Sequence, residues 1–297
     1  MLKYRGRNFT QANDRGRFGG GGRHMLHRVT DWDDAYANAP NIPGGDRWPE
    51  AWVEPARRFR EAMGERAALD IPYGDHDRER LDLFLPAGRP SGLVVFMHGG
   101  FWVRLDKSYW SHLAAGAVER GWAVAIPSYT LAPEARVAAI TRQAARAIES
   151  AAGCVDGPIR LVGHSAGGHL VTRQLCADSP LDGAIATRVG RTVSISGLHD
   201  LRPLLRTAMN GTIGLDEAEA RAESPALHEP RGEVDVIAWV GQSERAEFVR
   251  QSALLANIWL GLGARTELVV EPDRHHFDVI DGLADAASPL VAAVLGE

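Results

Sequence analysis

The sequence predicts an α/β fold, with a mostly parallel central sheet of about eight strands and helices on both faces. Short apolar runs of strand length recur along the chain, and from the third onward they alternate with segments of helical period. The chain has 297 residues, 45% of them hydrophobic, which is enough for one large core. The expected strands lie at 68–73, 80–85, 93–97, 122–127, 159–162, 192–195, 234–240 and 266–270. The expected helices between and after them lie at 107–120, 135–152, 167–177, 246–262 and 278–295. An antiparallel opening followed by strand-helix alternation gives parallel neighbours with crossover helices on either face. Upstream, Trp52, Val53, Ala56, Phe59 and Met63 recur at helical intervals, so 49–63 is an amphipathic helix expected to act as a lid or brace.

Residues 25–297 are expected to form a single domain, since neither an internal repeat nor a second boundary is visible. Residues 1–24 read as a flexible basic tail, in which Lys3, Arg5, Arg7, Arg15, Arg17 and Arg23 face Asp14 alone and a Gly19 to Gly22 run precedes its end. A net charge of -5 gives no global reason to bind nucleic acid or anionic lipid. Cys154 and Cys176 are too few for a disulfide framework and lack metal-ligand spacing. No stretch approaches the roughly 20 apolar residues of a membrane-spanning helix. The composition therefore predicts a cytoplasmic protein acting on a small molecule, with no metal, and leaves a homodimer open.

Ligand sites in open α/β sheets form beyond the carboxyl ends of the strands, and the informative motifs fall there. Gly163-His164-Ser165-Ala166-Gly167 has the G-x-S-x-G spacing of a nucleophile elbow, between an apolar strand and a helix. Ser165 is the candidate nucleophile. His98-Gly99-Gly100 follows the third strand and offers unobstructed amides. With the amide of Ala166, those of Gly99 and Gly100 make a candidate oxyanion hole, and the His98 side chain is read as a loop tie. A triad acid should follow a late strand and precede the histidine. Glu244 after 234–240 fits that order, with Glu247 a near rival and Asp200 another, one strand earlier. The base is one of His275 and His276, which follow the last strand. His164 and His169 flank the serine on the elbow, whose geometry directs them elsewhere. Such chemistry calls for no cofactor.

With His98-Gly99-Gly100-Phe101-Trp102, the 163–170 segment GHSAGGHL and the 196–204 segment SGLHDLRPL, the chain resembles α/β-hydrolases of the kynurenine formamidase (arylformamidase) branch. Trp32-Asp33-Asp34-Ala35-Tyr36-Ala37-Asn38 resembles that branch's opening, Glu247-Phe248 with Gln251-Ser252 its E-F-x-x-Q-S segment, and His276-Phe277-Asp278 its closing H-F-D. The resemblance implies a catalytic α/β-hydrolase domain that converts N-formyl-kynurenine to kynurenine and formate. It places the base on His276, whereas the H-x-F pattern of hormone-sensitive-lipase-like esterases would select His275. It places the acid at Glu244, where the family usually has Asp. Phe101, Trp102 and Tyr109 are candidates for an aromatic substrate pocket. A carboxylesterase acting on small acyl esters would use the same machinery, and a hydrolase-fold binding protein without catalysis is the reading from another class.

Overall fold

The computed structural model describes residues 28–297, so the basic tail expected at 1–24 lies outside the described residues. Eight strands form one sheet: β1 (Ala67–Pro72), β2 (Arg80–Phe84), β3 (Leu93–Met97), β4 (Ala123–Pro127), β5 (Ile159–His164), β6 (Val189–Ile195), β7 (Asp235–Gly241) and β8 (Arg265–Glu271). Their order is β1-β2-β4-β3-β5-β6-β7-β8. β2 runs antiparallel to both β1 and β4, and all later pairings are parallel. The sheet is thus mixed but mostly parallel, as the strand-helix alternation predicts.

Side-chain alternation divides the strands between two apolar layers. Leu93, Val95 and Met97 of β3 join Ile140, Ala144 and Ile148 of the helix Val137–Cys154 and Leu170 of the helix Ala166–Arg173. Val94 and Phe96 point the other way, joining Trp52 of the helix Trp48–Met63 and Leu290 and Val294 of the helix Pro289–Leu295. A strand buried on both faces reads as an unbroken apolar run, and β3 and β4 are buried at every position.

Two expected helices are broken. Over 107–120 the chain makes short 3-10 turns at Lys107–Tyr109 and Ser111–Ala114 before a five-residue helix at Ala115–Glu119. Trp110, 1% exposed, leaves helical geometry between the two turns and packs on Trp52 and Phe96. Over 278–295 only Pro289–Leu295 is α-helical. Proline disfavours the helical conformation of the residue before it, so Ser288 becomes the cap, its hydroxyl accepting from the Val291 amide. The helix expected at 49–63 forms as Trp48–Met63 and keeps Pro55 on its exposed side.

Besides His276, the histidines His98, His164, His169 and His199 are buried in this framework. Burial, the largest influence on each, lowers His98 and His199 to about 4 and His169 to about 3, and holds His164 well below the ordinary 6.5. The unfolded chain therefore binds more protons than the fold between pH 6.5 and about 4. Stability is complete above pH 6.5 and falls as pH drops through that window, by up to about 1.4 kcal/mol per pH unit for each histidine. The urea midpoint measured from pH 7.5 to 4.5 should fall accordingly, and a flat profile would show that these rings charge freely inside the fold.

Candidate active site

The pairing of β3 with β5 sets Met97 opposite Gly163, which brings the ends of both strands level. The loop leaving β3 and the turn leaving β5 must therefore share a small volume. Ser165 adopts φ 56° and ψ -116°, a conformation that costs a non-glycine residue about 1–3 kcal/mol. Its backbone amide is held by the Ile195 carbonyl at 2.8 Å, and the helix Ala166–Arg173 starts at the next residue. The flanking glycines are required by close approach. A Cβ at Gly163 would lie 2.1 Å from the Gly167 carbonyl oxygen, and one at Gly167 would lie 1.9 Å from that of Met97.

The loop after β3 packs on this turn. A Cβ at Gly99 would meet the Ser165 Cβ at 3.1 Å, and Gly100 (φ 112°), Phe101 (φ 51°) and Trp102 (φ 60°) all take left-handed backbone. The loop is tied by the Val103 amide to the Gly100 carbonyl at 3.0 Å and by the Ala132 amide to the Trp102 carbonyl at 2.7 Å. Among the described residues the amides of Gly99, Gly100 and Ala166 donate to no protein acceptor. His98 ties the loop from below: its Nδ1 donates to the Gly99 carbonyl at 2.7 Å, and its ring stacks on Tyr129 at 4.4 Å.

Glu244, after β7, meets His276, after β8, with 2.6 Å between His276 Nδ1 and Glu244 Oε2. The second carboxylate oxygen accepts from the Ser196 hydroxyl at 2.5 Å and the Gly241 amide at 2.8 Å. Phe248 lies against the His276 ring at 4.3 Å. The buried His164 donates from Nε2 to the His276 carbonyl at 2.9 Å, fixing that backbone. Its low pKa, set first by burial and then by the nearby His276, keeps it neutral in this role. Ser165 and His276 line one pocket with Gly99 and Gly100. Trp52, Phe101, Trp110 and Phe277 form its aromatic walls.

The rivals lie elsewhere. Glu247 is enclosed by the Tyr36 hydroxyl at 2.8 Å, Gln251 and Arg250. Asp200 pairs with Arg202 at 2.8 Å. His275 turns its Nδ1 to the Phe277 and Asp278 amides and sets its ring edge-on to Trp48. His169 bonds the Glu223 carbonyl at 2.7 Å. Of the three aromatic residues expected in the pocket, only Phe101 lines it. Trp102 is fully buried against His169, and Tyr109, partly buried, packs against the apolar layer that contains Trp52 and Trp110 without lining the pocket. Their places are taken by Trp110, one residue on from Tyr109, and by Trp52 of the N-terminal helix.

A profile described as alpha/beta hydrolase fold matches residues 94–203, the stretch from β3 through the elbow to the loop after β6. A crystal structure of a thioesterase candidate from Silicibacter sp. TM1040 is 47% identical, with a TM-score of 0.86, over 90% of this chain and 100% of that one. The chain belongs to the α/β-hydrolase fold family. This hydrolase is also similar to kynurenine formamidase of Danio rerio, at 29% identity over 228 residues that span 73% of this chain and 77% of the relative. Isoprenylcysteine alpha-carbonyl methylesterase of Arabidopsis thaliana is 26% identical over 247 residues, 73% of this chain and 58% of the relative.

The sequence motifs do not single out Ser196, His164 or Asn38 as site residues. Ser196 obeys the same rule as the elbow, since it follows β6 directly, again with positive φ (52°). Asn38 closes the Trp32 to Asn38 segment and lines the pocket.

The hydrolase's glycine contacts make a direct prediction. Gly167→Ala should cost about 3 kcal/mol or more, because its methyl would overlap the Met97 carbonyl, whereas Ala at Gly153, which has open space, should cost little. Thermal melts of the two variants measure the difference, and equal melting temperatures would contradict the close approach.

Proposed function

We propose that this chain is a serine hydrolase of aryl formamides that converts N-formyl-kynurenine to kynurenine and formate without a cofactor. The observation that carries the proposal is the Glu244–His276 pair opening into the same pocket as Ser165 and the free amides of Gly99 and Gly100. In this reading Ser165 Oγ attacks the formyl carbon while His276 Nε2 takes its proton. Charge developing on the carbonyl oxygen is met by the amides of Gly99, Gly100 and Ala166, none of which has another acceptor to surrender among the described residues. The carbon–nitrogen bond then breaks as His276 passes the proton to the departing aniline nitrogen. Water, deprotonated by His276, attacks the formyl ester on Ser165, and the Oγ–carbon bond breaks as His276 returns that proton to Oγ, releasing formate and restoring Ser165. Glu244 orients His276 through Nδ1 and stabilises the imidazolium formed in each half-reaction, while Ser196 and the Gly241 amide hold the carboxylate in place.

The formamide substrate is supported by the relationship to the Danio rerio formamidase and by the small, aromatic-walled pocket. The similarity to the Silicibacter thioesterase candidate favours a second reading, in which the same machinery cleaves small acyl esters or thioesters. Relative kcat/KM for N-formyl-kynurenine and for short-chain p-nitrophenyl esters and acyl thioesters separates the two, and turnover of the esters or thioesters alone would overturn the formamidase reading.

Ser165→Ala and His276→Ala should each reduce kcat by about 10⁴-fold or more, and Glu244→Ala by somewhat less. His275→Ala and Glu247→Gln test the rivals. A loss on His275→Ala equal to that on Ser165→Ala would move the base off His276.

A further inference from the structure

The two edges of the sheet are finished differently. β1 is blunted: its register shifts between Ala68 and Ile71, where Asp70 takes φ 57°, and it ends at Pro72, which has no amide to offer. β8 has neither device. It pairs with β7 in unbroken register from Arg265 to Glu271, and its sequence Arg-Thr-Glu-Leu-Val-Val-Glu contains no proline or glycine. Among the described residues no strand or hydrogen bond reaches its outer side. At both ends the chain turns inward, the Ala264 amide bonding the Trp259 carbonyl before β8 and the Ser243 amide the Arg274 carbonyl after it. Because the Arg265 amide donates to Val234 and the Glu271 carbonyl accepts from Gln242, the odd-numbered residues direct their backbone groups to β7, and those of Thr266, Leu268 and Val270 point outward. Leu268 and Val270 are 40% and 41% exposed, on the face where the Thr266 hydroxyl donates to Ala256 of the helix Ala246–Gly261.

We infer that β8 is the surface through which two copies of this chain associate, pairing antiparallel about a two-fold axis at Leu268 so that the two sheets continue into one. The charges on the strand choose that axis. In such a pairing each face of the sheet stays on its own side, so residues opposite one another are both odd-numbered or both even-numbered. With Leu268 facing itself, Arg265 of each copy stands opposite Glu271 of the other. An axis at Glu267 would set two glutamates face to face, and one at Val269 would oppose Glu267 to Glu271 twice. Axes nearer either end pair fewer residues. The backbone suits the same axis: Thr266, Leu268 and Val270, whose groups point outward, fall opposite Val270, Leu268 and Thr266, so their amides and carbonyls all find partners. Arg265 is free to turn to the second copy, since Asp235, its present partner, is also held by Arg191 at 3.0 Å. The pairing covers the exposed Leu268 and Val270. Because the strands run in opposite directions, the two pockets, which lie beyond carboxyl ends, open at opposite ends of the joint sheet.

Sedimentation of the full chain at micromolar concentration should give twice the mass of one chain. Leu268→Lys, which sets two ammonium groups opposite each other at the axis, should raise the dimer dissociation constant about tenfold or more. Arg265→Glu should weaken it about tenfold by opposing carboxylates on both sides of the axis, and adding Glu271→Arg to that variant should restore dimerisation, which recovery of a damaged fold would not explain. The register is read separately by cross-linking. In a Cys154→Ser background, Leu268→Cys should oxidise to a disulfide-linked dimer, because the Cα atoms of a hydrogen-bonded antiparallel pair lie about 5.5 Å apart, within the span of that bond. Val270→Cys, which falls opposite Thr266, should not cross-link. A wild-type chain that stays monomeric, a dimer indifferent to Leu268→Lys or to Arg265→Glu, or cross-linking at position 270 and not at 268 would each overturn the inference. Cross-linking at 268 does not depend on the stability of the charged variants, so it tests the interface even where one of them fails to fold.

Discussion

The close approach of three backbone segments at the ends of β3 and β5 is the constraint on which the rest of the site depends. Gly163, Gly167 and the Met97 carbonyl are packed so tightly that no side chain fits at either glycine. That contact fixes the level of the Ser165 turn relative to the loop carrying Gly99 and Gly100, with strand register as the ruler. The positive φ of Ser165 is maintained because β5 below, the helix above and the Ile195 carbonyl beside it leave the residue no alternative. Strain at one residue is thus held by packing on three sides, which is how a loop-borne site acquires the rigidity of the sheet.

Glu244 and His276 illustrate a different requirement. A carboxylate excluded from water is tolerated only when its oxygens are occupied. Glu244 meets that condition with three donors from separate places, the Ser196 hydroxyl, the Gly241 amide and His276 Nδ1. Since one oxygen is claimed by the first two, the other has a single direction in which to accept. The imidazole must then present Nδ1–H to it and leave Nε2 free for the serine side. His164 completes this arrangement from the elbow itself, its ring buried and neutral and its Nε2 fixing the backbone that carries His276. A glutamate at this position reaches His276 at 2.6 Å with both oxygens satisfied, so its extra methylene relative to aspartate is accommodated by the turn after β7.

The inner layers of the fold were legible in the sequence because buried strands are written as continuous apolar runs, and all eight strands, the largely exposed β1 and β8 included, appear within a few residues of their expected positions. The elbow and the glycine loop were legible because close backbone approach leaves glycine as the available residue. Choices between neighbours were not. Glu244 and Glu247 are three residues apart, one before the helix Ala246–Gly261 and one inside it, yet Glu247 is captured by Tyr36, a residue more than two hundred positions away, and that contact has no local signature. The same applies to the aromatic wall. Tyr109 and Trp110 are adjacent, and which of them turns inward is decided by Trp52 of a distant helix. Helix continuity failed at Trp110 and at Ser288-Pro289, in the first case because burial of a large ring outweighed local propensity, in the second because proline restricts its predecessor.

The assembly also separates machinery from recognition. Ser165, Glu244, His276 and the loop amides stand at strand ends whose positions the sheet dictates, while Asn38, Pro49 and Trp52, which close the pocket, belong to the segment that precedes the first strand. Within the hydrolase that segment is anchored twice at the site, by Trp52 packed on Trp110 and by Tyr36 hydrogen-bonded to Glu247 beside Phe248. A change in the 31–63 segment can therefore reshape the pocket without altering a strand end, a turn or the Glu244–His276 pair. The proposed acyl-transfer chemistry depends on the sheet instead, because any substitution at the glycine contacts would displace Ser165 and the loop amides together.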